Sequence, residues 1–467
     1  MELEPKVRVA PDEELRLKLQ SKTARIGVVG LGYVGLPLAF EFAKQGFDTL
    51  GIDLDTTRVV QLNAGQNFIQ DLSDEAVRSV VEDGYLRAED HFRSVPDLDV
   101  IFVCVPTPVT VSKDPDTSYI EAASASIASN LRAGHLVILK STTYPETTEG
   151  VVQPMLEAAA CPKGLQIGKD FFLAFSPERI DPGNQHFTTA NTPVVVGGVT
   201  PLCTSLAGQA LHQVVANVHP VSSPRVAEME KLLENIFRSV NIALVNELAR
   251  LCDRMGGVSI WEVVEAAATK PFGFMPFWPG PGLGGHCIPV DPYYLSWLAR
   301  RYDFETSFIT LAARVNEEMP FYVVEAVTRA VADQPVRLRD ANILILGVAF
   351  KKNVDDTRHS PALRVIELLY ERGIRNVTYS DPYVADLVAH VQGKPLSLSS
   401  VALTKETIRA SDVVIVLTDH DSLPYAHIAQ HARCIIDTRN AMSRVEHDAN
   451  KVILLGGGNF YESGGEA

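Results

Sequence analysis

The sequence predicts an α/β protein in which two parallel sheets, each covered by helices, are joined by a long central helix and a helical segment. Three observations predict it. Short runs of Val, Ile, Leu and Phe recur without polar alternation, the pattern of strands buried on both faces, and helical stretches separate them. This alternation stops near residue 222, where one long helical pattern begins, and resumes near residue 335. The chain has 467 residues, enough for two to four domains.

The elements follow in order. Residues 1–22 form a polar, partly helical lead-in. "ARIGVVGLGYVGLPLAFEFAKQGFDTLGIDLD" supplies a strand, a glycine turn, a helix and a second strand ending at Asp53. Further strands are expected at "DVIFVCVPTP", "HLVILKSTTYPETT", "DFFLAFSPER" and "TPVVVGG". "SSPRVAEMEKLLENIFRSVNIALVNELARLCDRMGG" then predicts a single helix. Ser223 can cap it, Pro224 suits its first turn, and Gly256 and Gly257 stop it. Met229, Leu232, Leu233, Ile236, Phe237 and Val240 form one apolar stripe at helical spacing. Helical patterns run on to about 332, interrupted by a loop over 270–294. "ANILILGVAF", "NVTYSDP", "DVVIVLTD", "RCIIDT" and "KVILLGGG" build a second, smaller sheet, which lacks the glycine triplet and so reads as no close repeat of the first. The expected domains are a lead-in (1–22), a dinucleotide-binding domain (23–221), a helical domain (222–332) and a second α/β domain (333–467).

A net charge of −15 argues against a general nucleic-acid binder, yet local arginines and helix N-termini can still hold an anionic small ligand. The charged N-terminal stretch lacks an apolar signal-peptide core, and no apolar run approaches a membrane span. Six scattered cysteines show neither a CxxC pair nor zinc-finger spacing. Free thiols in a reducing cytoplasm are expected, with no metal, and Cys104 and Cys434 fall in apolar runs where they would pack.

"GLGYVG" sets Gly30, Gly32 and Gly35 in G-x-G-x-x-G register, with Tyr33 and Val34 inside the turn. The first glycine permits the tight turn, the second lets backbone approach a pyrophosphate, and the third packs helix on strand. The first domain is therefore expected to be Rossmann-like and to bind a dinucleotide, and the second, from its strand–helix alternation, to be Rossmann-like too. Asp53 would accept from ribose hydroxyls, which predicts NAD over NADP; the nearby Arg58 weakens that preference. Thr107 in "VPTP" and Thr142 in "STT" sit where strands end, the edge at which parallel sheets bind ligands, although turn chemistry alone could explain them. Glu228, Lys231 and Asn235 share one face of the long helix, read either as a solvated polar face or as a functional one. Lys351, Lys352 and Arg358 follow the first strand of the last domain and suit phosphate contacts, or else form a solvated charge cluster.

"GPGLGGHCIPVDPYY" is the most unusual stretch. A packing cysteine has no need of so many Gly and Pro neighbours, whereas a nucleophilic thiolate needs a loop that lets a carbonyl carbon approach closely. Cys287 is the candidate nucleophile, with Asp291 four residues on able to activate water or balance a lysine. His286 reads equally as a base or as a structural residue.

Taken together and in order, "GLGYVGLPLA", "VPTP", "STT", "SPER", "EMEKLLEN", "GPGLGGHCIPVDP", "AFKKNVDDTR" and "SDP" resemble the UDP-sugar 6-dehydrogenases over about residues 24–455. The resemblance implies an N-terminal NAD-binding domain, a dimerising central helix and a C-terminal UDP-binding domain. It also implies a four-electron oxidation of a sugar C6 alcohol to a carboxylate with two NAD⁺, through a thiohemiacetal and then a thioester on Cys287. Lys231 and Asn235 would stabilise the oxyanion, Asp291 would pair with Lys231 and help activate water, Glu178 would serve hydrolysis and proton transfer, and Thr142 would position water. Arg358 would contact the cofactor, and Gly284, Phe350, Lys351 and Arg439 would hold the UDP-sugar with Glu178, Lys231 and Asn235.

The departures narrow the expected substrate. Leu283 and Val290 stand where UDP-glucose members tend to carry an aromatic and a lysine, and the N-acetylgalactosamine and N-acetylmannosamine members usually differ at Pro289. The chain is thus most similar to the UDP-N-acetylglucosamine 6-dehydrogenase branch, which implies a cytoplasmic homodimer or higher homo-oligomer making surface polysaccharide or lipopolysaccharide precursors. The competing readings are another NAD enzyme, such as a sugar-nucleotide reductase or epimerase, and a non-catalytic dinucleotide sensor. Neither needs Cys287.

Overall fold

The computed structural model describes residues 9–69, 72–110, 113–179, 186–285, 288 and 290–461. The chain divides into two compact units, residues 1–234 with 293–304, and residues 235–292 with 305–467.

The first unit is built on an eight-stranded sheet of β1 (Ile26–Val29), β2 (Thr49–Ile52), β3 (Leu86–Glu89), β4 (Val100–Val103), β5 (Leu136–Leu139), β6 (Phe172–Phe175), β7 (Val194–Gly198) and β8 (Val218–Pro220). Their order is β3-β2-β1-β4-β5-β6-β7-β8. The pairing is parallel throughout except between β6 and β7, which run antiparallel, a departure from the all-parallel expectation. Alternate strand residues feed two cores. Ile26, Val28 and Phe102 pack on one face with Phe42 and Phe47, whereas Val29, Ile101 and Val103 pack on the other with Ile120 and Phe171. Strand order reverses between β1 and β4, and the glycine turn lies at that switch point, where doubly wound sheets bind ligands. Within the lead-in, helix Pro11–Gln20 buries Leu15 and Leu19 in the first core.

The long helix, Pro224–Met255, starts where expected, with the Ser223 hydroxyl accepting from Val226 N–H, and stops at the left-handed pair Gly256 and Gly257. Its first eleven residues belong to the first unit and the rest to the second.

The second unit carries β9 (Asn342–Leu346), β10 (Asn376–Ser380), β13 (Val413–Val416), β14 (Ile435–Asp437) and β15 (Val452–Leu454) in a parallel sheet ordered β10-β9-β13-β14-β15. Between them lies a hairpin that the sequence reading did not anticipate, β11 (Asp386–Val391) and β12 (Lys394–Ser399). Its signals are present: Gln392 and Gly393 both take positive φ, as a two-residue hairpin turn requires, and burial alternates along β11.

The two sheets repeat each other more closely than the missing glycine triplet suggested. Gly30 N–H donates to Ile52 O and Leu31 N–H to the Asp53 carboxylate at 2.7 Å. In the second unit Gly347 N–H donates to Ser380 O and Val348 N–H to the Asp381 carboxylate at 2.7 Å. An acidic residue ending the second strand latches the turn after the first strand in both.

Candidate functional site

In the first unit the glycine turn separates glycines the fold needs from one it does not. Gly30 has φ +91°, and a Cβ there would meet Cys104 O at 2.6 Å. A Cβ on Gly35 would lie 1.7 Å from Gly30 O. At Gly32 no protein atom lies within 4 Å of the position a Cβ would take. Packing therefore does not demand a glycine there, and the bare backbone leaves room for a ligand to approach. Helix Gly35–Lys44 opens directly after Val34 with no acidic residue in its first turn and no side-chain cap, so its N-terminus suits an anion. With Tyr33 inside this turn and a carboxylate at the end of β2, these residues fit a dinucleotide. Asp53 also serves the turn: besides Leu31 it accepts from Asp55 N–H at 2.9 Å, and Arg58 lies 3.4 Å away.

Thr107 and Thr142 lie beyond the ends of β4 and β5, and the Thr107 hydroxyl donates to Thr142 O at 2.6 Å. Tyr294 O–H donates to Thr107 O. Beside them stands a residue the sequence reading passed over. Lys140 directly follows β5, is 2 % exposed, and places its ammonium 3.4 Å from the Glu178 carboxylate. A charged residue closing an apolar strand was the available signal, because a lysine is buried only when paired. Glu178 also accepts from Arg179 N–H at 2.8 Å. Arg179 reaches Glu230 and, at 2.6 Å, Glu234, which ties the "SPER" segment to the start of the long helix.

The polar face of the long helix is not solvated: Glu228, Lys231 and Asn235 are all buried. Glu228 is structural. Its carboxylate accepts from Glu146 N–H at 2.8 Å, Thr148 N–H at 2.9 Å and the Thr148 hydroxyl at 2.7 Å. Burial raises its pKa to about 7, against the opposing pull of those donors. Lys231 makes no hydrogen bond or ion pair among the described residues of its own unit. The apolar stripe also divides, with Leu232 and Ile236 buried while Met229, Leu233 and Phe237 are exposed.

In the second unit Asn235 donates its side-chain amide to the Asp291 carboxylate at 2.5 Å, both groups being buried. His286, Cys287 and Pro289 lie outside the described residues. The glycines before them are set by close approach. A Cβ on Gly280 would meet the Arg439 guanidinium at 2.7 Å, and one on Gly284 would meet Phe350 Cβ at 2.8 Å. Gly285, at φ +88°, donates its N–H to Arg358 O at 3.2 Å. Gly284, Phe350 and Arg439, expected to hold substrate, are thus gathered around one loop. Arg439 is anchored by Nε donating to Leu417 O at 3.0 Å, and burial lowers its pKa. Lys351, next to Phe350 in the loop that follows β9, is half-buried. Arg358 lies in the second unit with its guanidinium forked onto Asp356 at 2.9 and 3.0 Å, and Lys352 pairs with Asp421 at 3.6 Å. Behind that loop Asp381 pairs with fully buried His420 at 3.0 Å, and His420 accepts from Asn353 N–H at 2.9 Å.

Among the described residues no group of three or more His, Cys, Asp or Glu could hold a metal ion, and no helix is long and apolar enough to cross a membrane. Burial pushes the Cys104 thiol up to about 12 and that of Cys434 to about 11, so neither is a thiolate.

Comparison with known proteins places all three parts of the chain in one family. Residues 24–216 match the UDP-glucose/GDP-mannose dehydrogenase family NAD binding domain, residues 225–318 its central domain, and residues 344–444 its UDP binding domain. The chain is 36% identical to UDP-N-acetyl-D-mannosamine dehydrogenase of Pyrococcus horikoshii over 89% of its own length and 95% of the relative's. It is 37% identical to UDP-N-acetyl-D-glucosamine 6-dehydrogenase of Pseudomonas aeruginosa, over 78% and 84% of the two chains. The solved structure of the Pyrococcus horikoshii UDP-D-ManNAc dehydrogenase superposes with a TM-score of 0.82 at 32% identity, covering 93% of this chain and all of that one.

Proposed function

The chain belongs to the UDP-glucose/GDP-mannose dehydrogenase family of NAD-dependent nucleotide-sugar dehydrogenases, and we propose on that premise that it oxidises C6 of UDP-N-acetyl-D-glucosamine to the uronate. NAD, when bound, accepts the two electrons of each of two successive oxidations. Cys287 adds to the C6 aldehyde to give a thiohemiacetal, whose oxidation leaves a thioester that water hydrolyses. Lys231 and Asn235 stabilise the C6 oxyanion. Asp291 and Glu178 manage the proton and water steps, Thr142 positions water, and Phe350, Lys351, Arg439 and Gly284 hold the nucleotide sugar, with Arg358 directed to the cofactor.

The observation that carries this reading is the bond between Asn235 and Asp291, two buried polar groups, one on the long helix and the other four residues beyond Cys287. Polar groups are buried at a cost unless they are paired or used, and a dinucleotide sensor or an epimerase needs no such set beside a cysteine loop.

The N-acetylhexosamine class is supported by Leu283 and Val290 and by the names of the relatives, which include N-acetylmannosamine, N-acetylgalactosaminuronate and N-acetylglucosamine enzymes. N-acetylglucosamine itself rests on the loop sequence around Pro289. The exposed Met229, Leu233 and Phe237 form the face of a homodimer, and the reaction belongs to the cytoplasm as a step toward surface polysaccharide precursors.

The test is to supply NAD⁺ with UDP-N-acetylglucosamine, UDP-N-acetylgalactosamine, UDP-N-acetylmannosamine or UDP-glucose and count NADH per sugar consumed. Two NADH on UDP-N-acetylglucosamine, lost in Cys287→Ala, is the expected result. Two NADH on another sugar alone overturns the substrate, and none on any of the four overturns the reaction.

A further inference from the structure

Within the second unit two long helices are bridged by a buried pair of asparagines whose hydrogen bonds lead to Gly280, at the start of the glycine-rich stretch before Cys287. Asn246, on helix Pro224–Met255, and Asn316, on helix Ser307–Ala332, are both buried. Gly280 N–H donates to Asn246 Oδ1 at 2.9 Å, Asn246 Nδ2 donates to Asn316 Oδ1 at 3.0 Å, and Asn316 Nδ2 donates to Ser239 O at 3.0 Å. Neither amide orientation is arbitrary. A backbone N–H at one end demands an acceptor, and a backbone carbonyl at the other demands a donor. Both side chains must therefore point the same way along the run.

The run ends against the substrate loop. Gly280 is the residue whose Cβ would strike the Arg439 guanidinium, and Gly282, at φ +128°, would place a Cβ 3.4 Å from Asn316 O and from Pro320. Pro320 lies four residues after Asn316 and has no N–H to give that carbonyl, so the helix is open where the loop crosses it. Gly280 to Gly285 are thus held from one side by the asparagine pair and from the other by Arg439 and Phe350.

We propose that Asn246 and Asn316 are positioning residues for the oxidation: they fix Gly280 beside Arg439 and so set the path of the loop that carries Cys287 seven residues on. The proposal rests on the reading that Cys287 carries the second oxidation. A loop displaced by an ångström loses rate on the order of a hundred-fold without losing the fold.

The test compares Asn246→Asp with Asn246→Leu in the full-length protein. Aspartate keeps the acceptor for Gly280 but brings a charge into the core; leucine keeps the core apolar but abandons Gly280. Two quantities are read: kcat per folded enzyme with NAD⁺ and the active nucleotide sugar, and the peptide-resolved rate of Cys287 carbamidomethylation by iodoacetamide relative to exposed Cys161. Positioning through Gly280 predicts that the two rankings oppose each other. Asn246→Leu is the more thermally stable variant, yet it loses more kcat and shifts the Cys287/Cys161 ratio on the order of ten-fold. Both readouts staying within about two-fold of wild type, or falling in the same order as thermal stability, overturns the proposal. If Asn246→Leu does not fold, Asn316→Ala, which frees the Asn246 amide to turn away from Gly280, takes its place with the same expected loss. Should wild type oxidise none of the nucleotide sugars, the functional reading fails, and the alkylation ratio still decides the positioning role.

Discussion

Lys140 Nζ stands 3.4 Å from Glu178 Oε2 with the lysine only 2 % exposed, an ion pair between the ends of β5 and β6. Removing one partner of a buried pair leaves the other charge poorly compensated. Lys140→Met is expected to lower stability by about 3 kcal/mol, and Lys140→Met with Glu178→Leu by less than the sum of the single changes. Urea unfolding of the four proteins checks this; additive effects would mean that the pair is not energetically coupled.

The glycine turn offers a direct separation of fold from ligand. Gly35→Ala drives a methyl into Gly30 O and is expected to cost about 3 kcal/mol. Gly32→Ala meets nothing in the protein and is expected to leave stability within about 0.5 kcal/mol of wild type. It should still weaken NAD binding on the order of ten-fold, about 1.4 kcal/mol. Differential scanning calorimetry and NAD titration of both variants read the two effects, and unchanged NAD affinity in Gly32→Ala would remove the ligand explanation for that glycine.

Glu228 predicts a pH dependence of stability. Its pKa in the folded protein is raised to about 7 by burial, above its ordinary value of 4.5. Between those two values the folded state holds a proton that the unfolded state has released, so stability falls as pH rises through this window and levels off above it. Glu228→Gln cannot titrate. Wild type's stability relative to Glu228→Gln is therefore expected to decline by up to about 3 kcal/mol from pH 4.5 to pH 7, measured by urea unfolding in a pH series. A flat difference would show that the three donors around the carboxylate fully offset its burial.

The exposed edge of the long helix predicts self-association. Met229→Glu with Leu233→Glu places two carboxylates on the exposed apolar face while sparing the buried Leu232 and Ile236. The expected outcome by light scattering after size exclusion is a shift from dimer to monomer, with the helical circular dichroism signal retained. A wild-type monomer would assign that face to something else.

Much of this architecture was legible in residue order. The glycine turn, Asp53, the long helix with its Ser223 start and Gly256–Gly257 stop, and the second run of strands are written in local patterns, because turns, caps and strand burial depend on near neighbours in the chain. The hairpin Asp386–Ser399 was legible too, in Gln392-Gly393 between alternating residues, but went unread. The division of the apolar stripe was not legible. Leu232 and Leu233 are the same residue type one position apart, and only the packing around the helix buries the first and exposes the second.

The site divides in the same way. Sequence alone supplied the candidates for the chemistry: a dinucleotide turn, a cysteine in a glycine-rich stretch, and a lysine and an asparagine one helical turn apart. Tertiary structure alone decided what supports them. Lys140 beside Glu178, Asn235 on Asp291, Asn246 between Gly280 and Asn316, and Asp381 on His420 are partners separated by between 34 and 70 residues. A buried polar group must find a hydrogen-bond partner wherever the fold brings one, and no local pattern in the chain records which residue that will be.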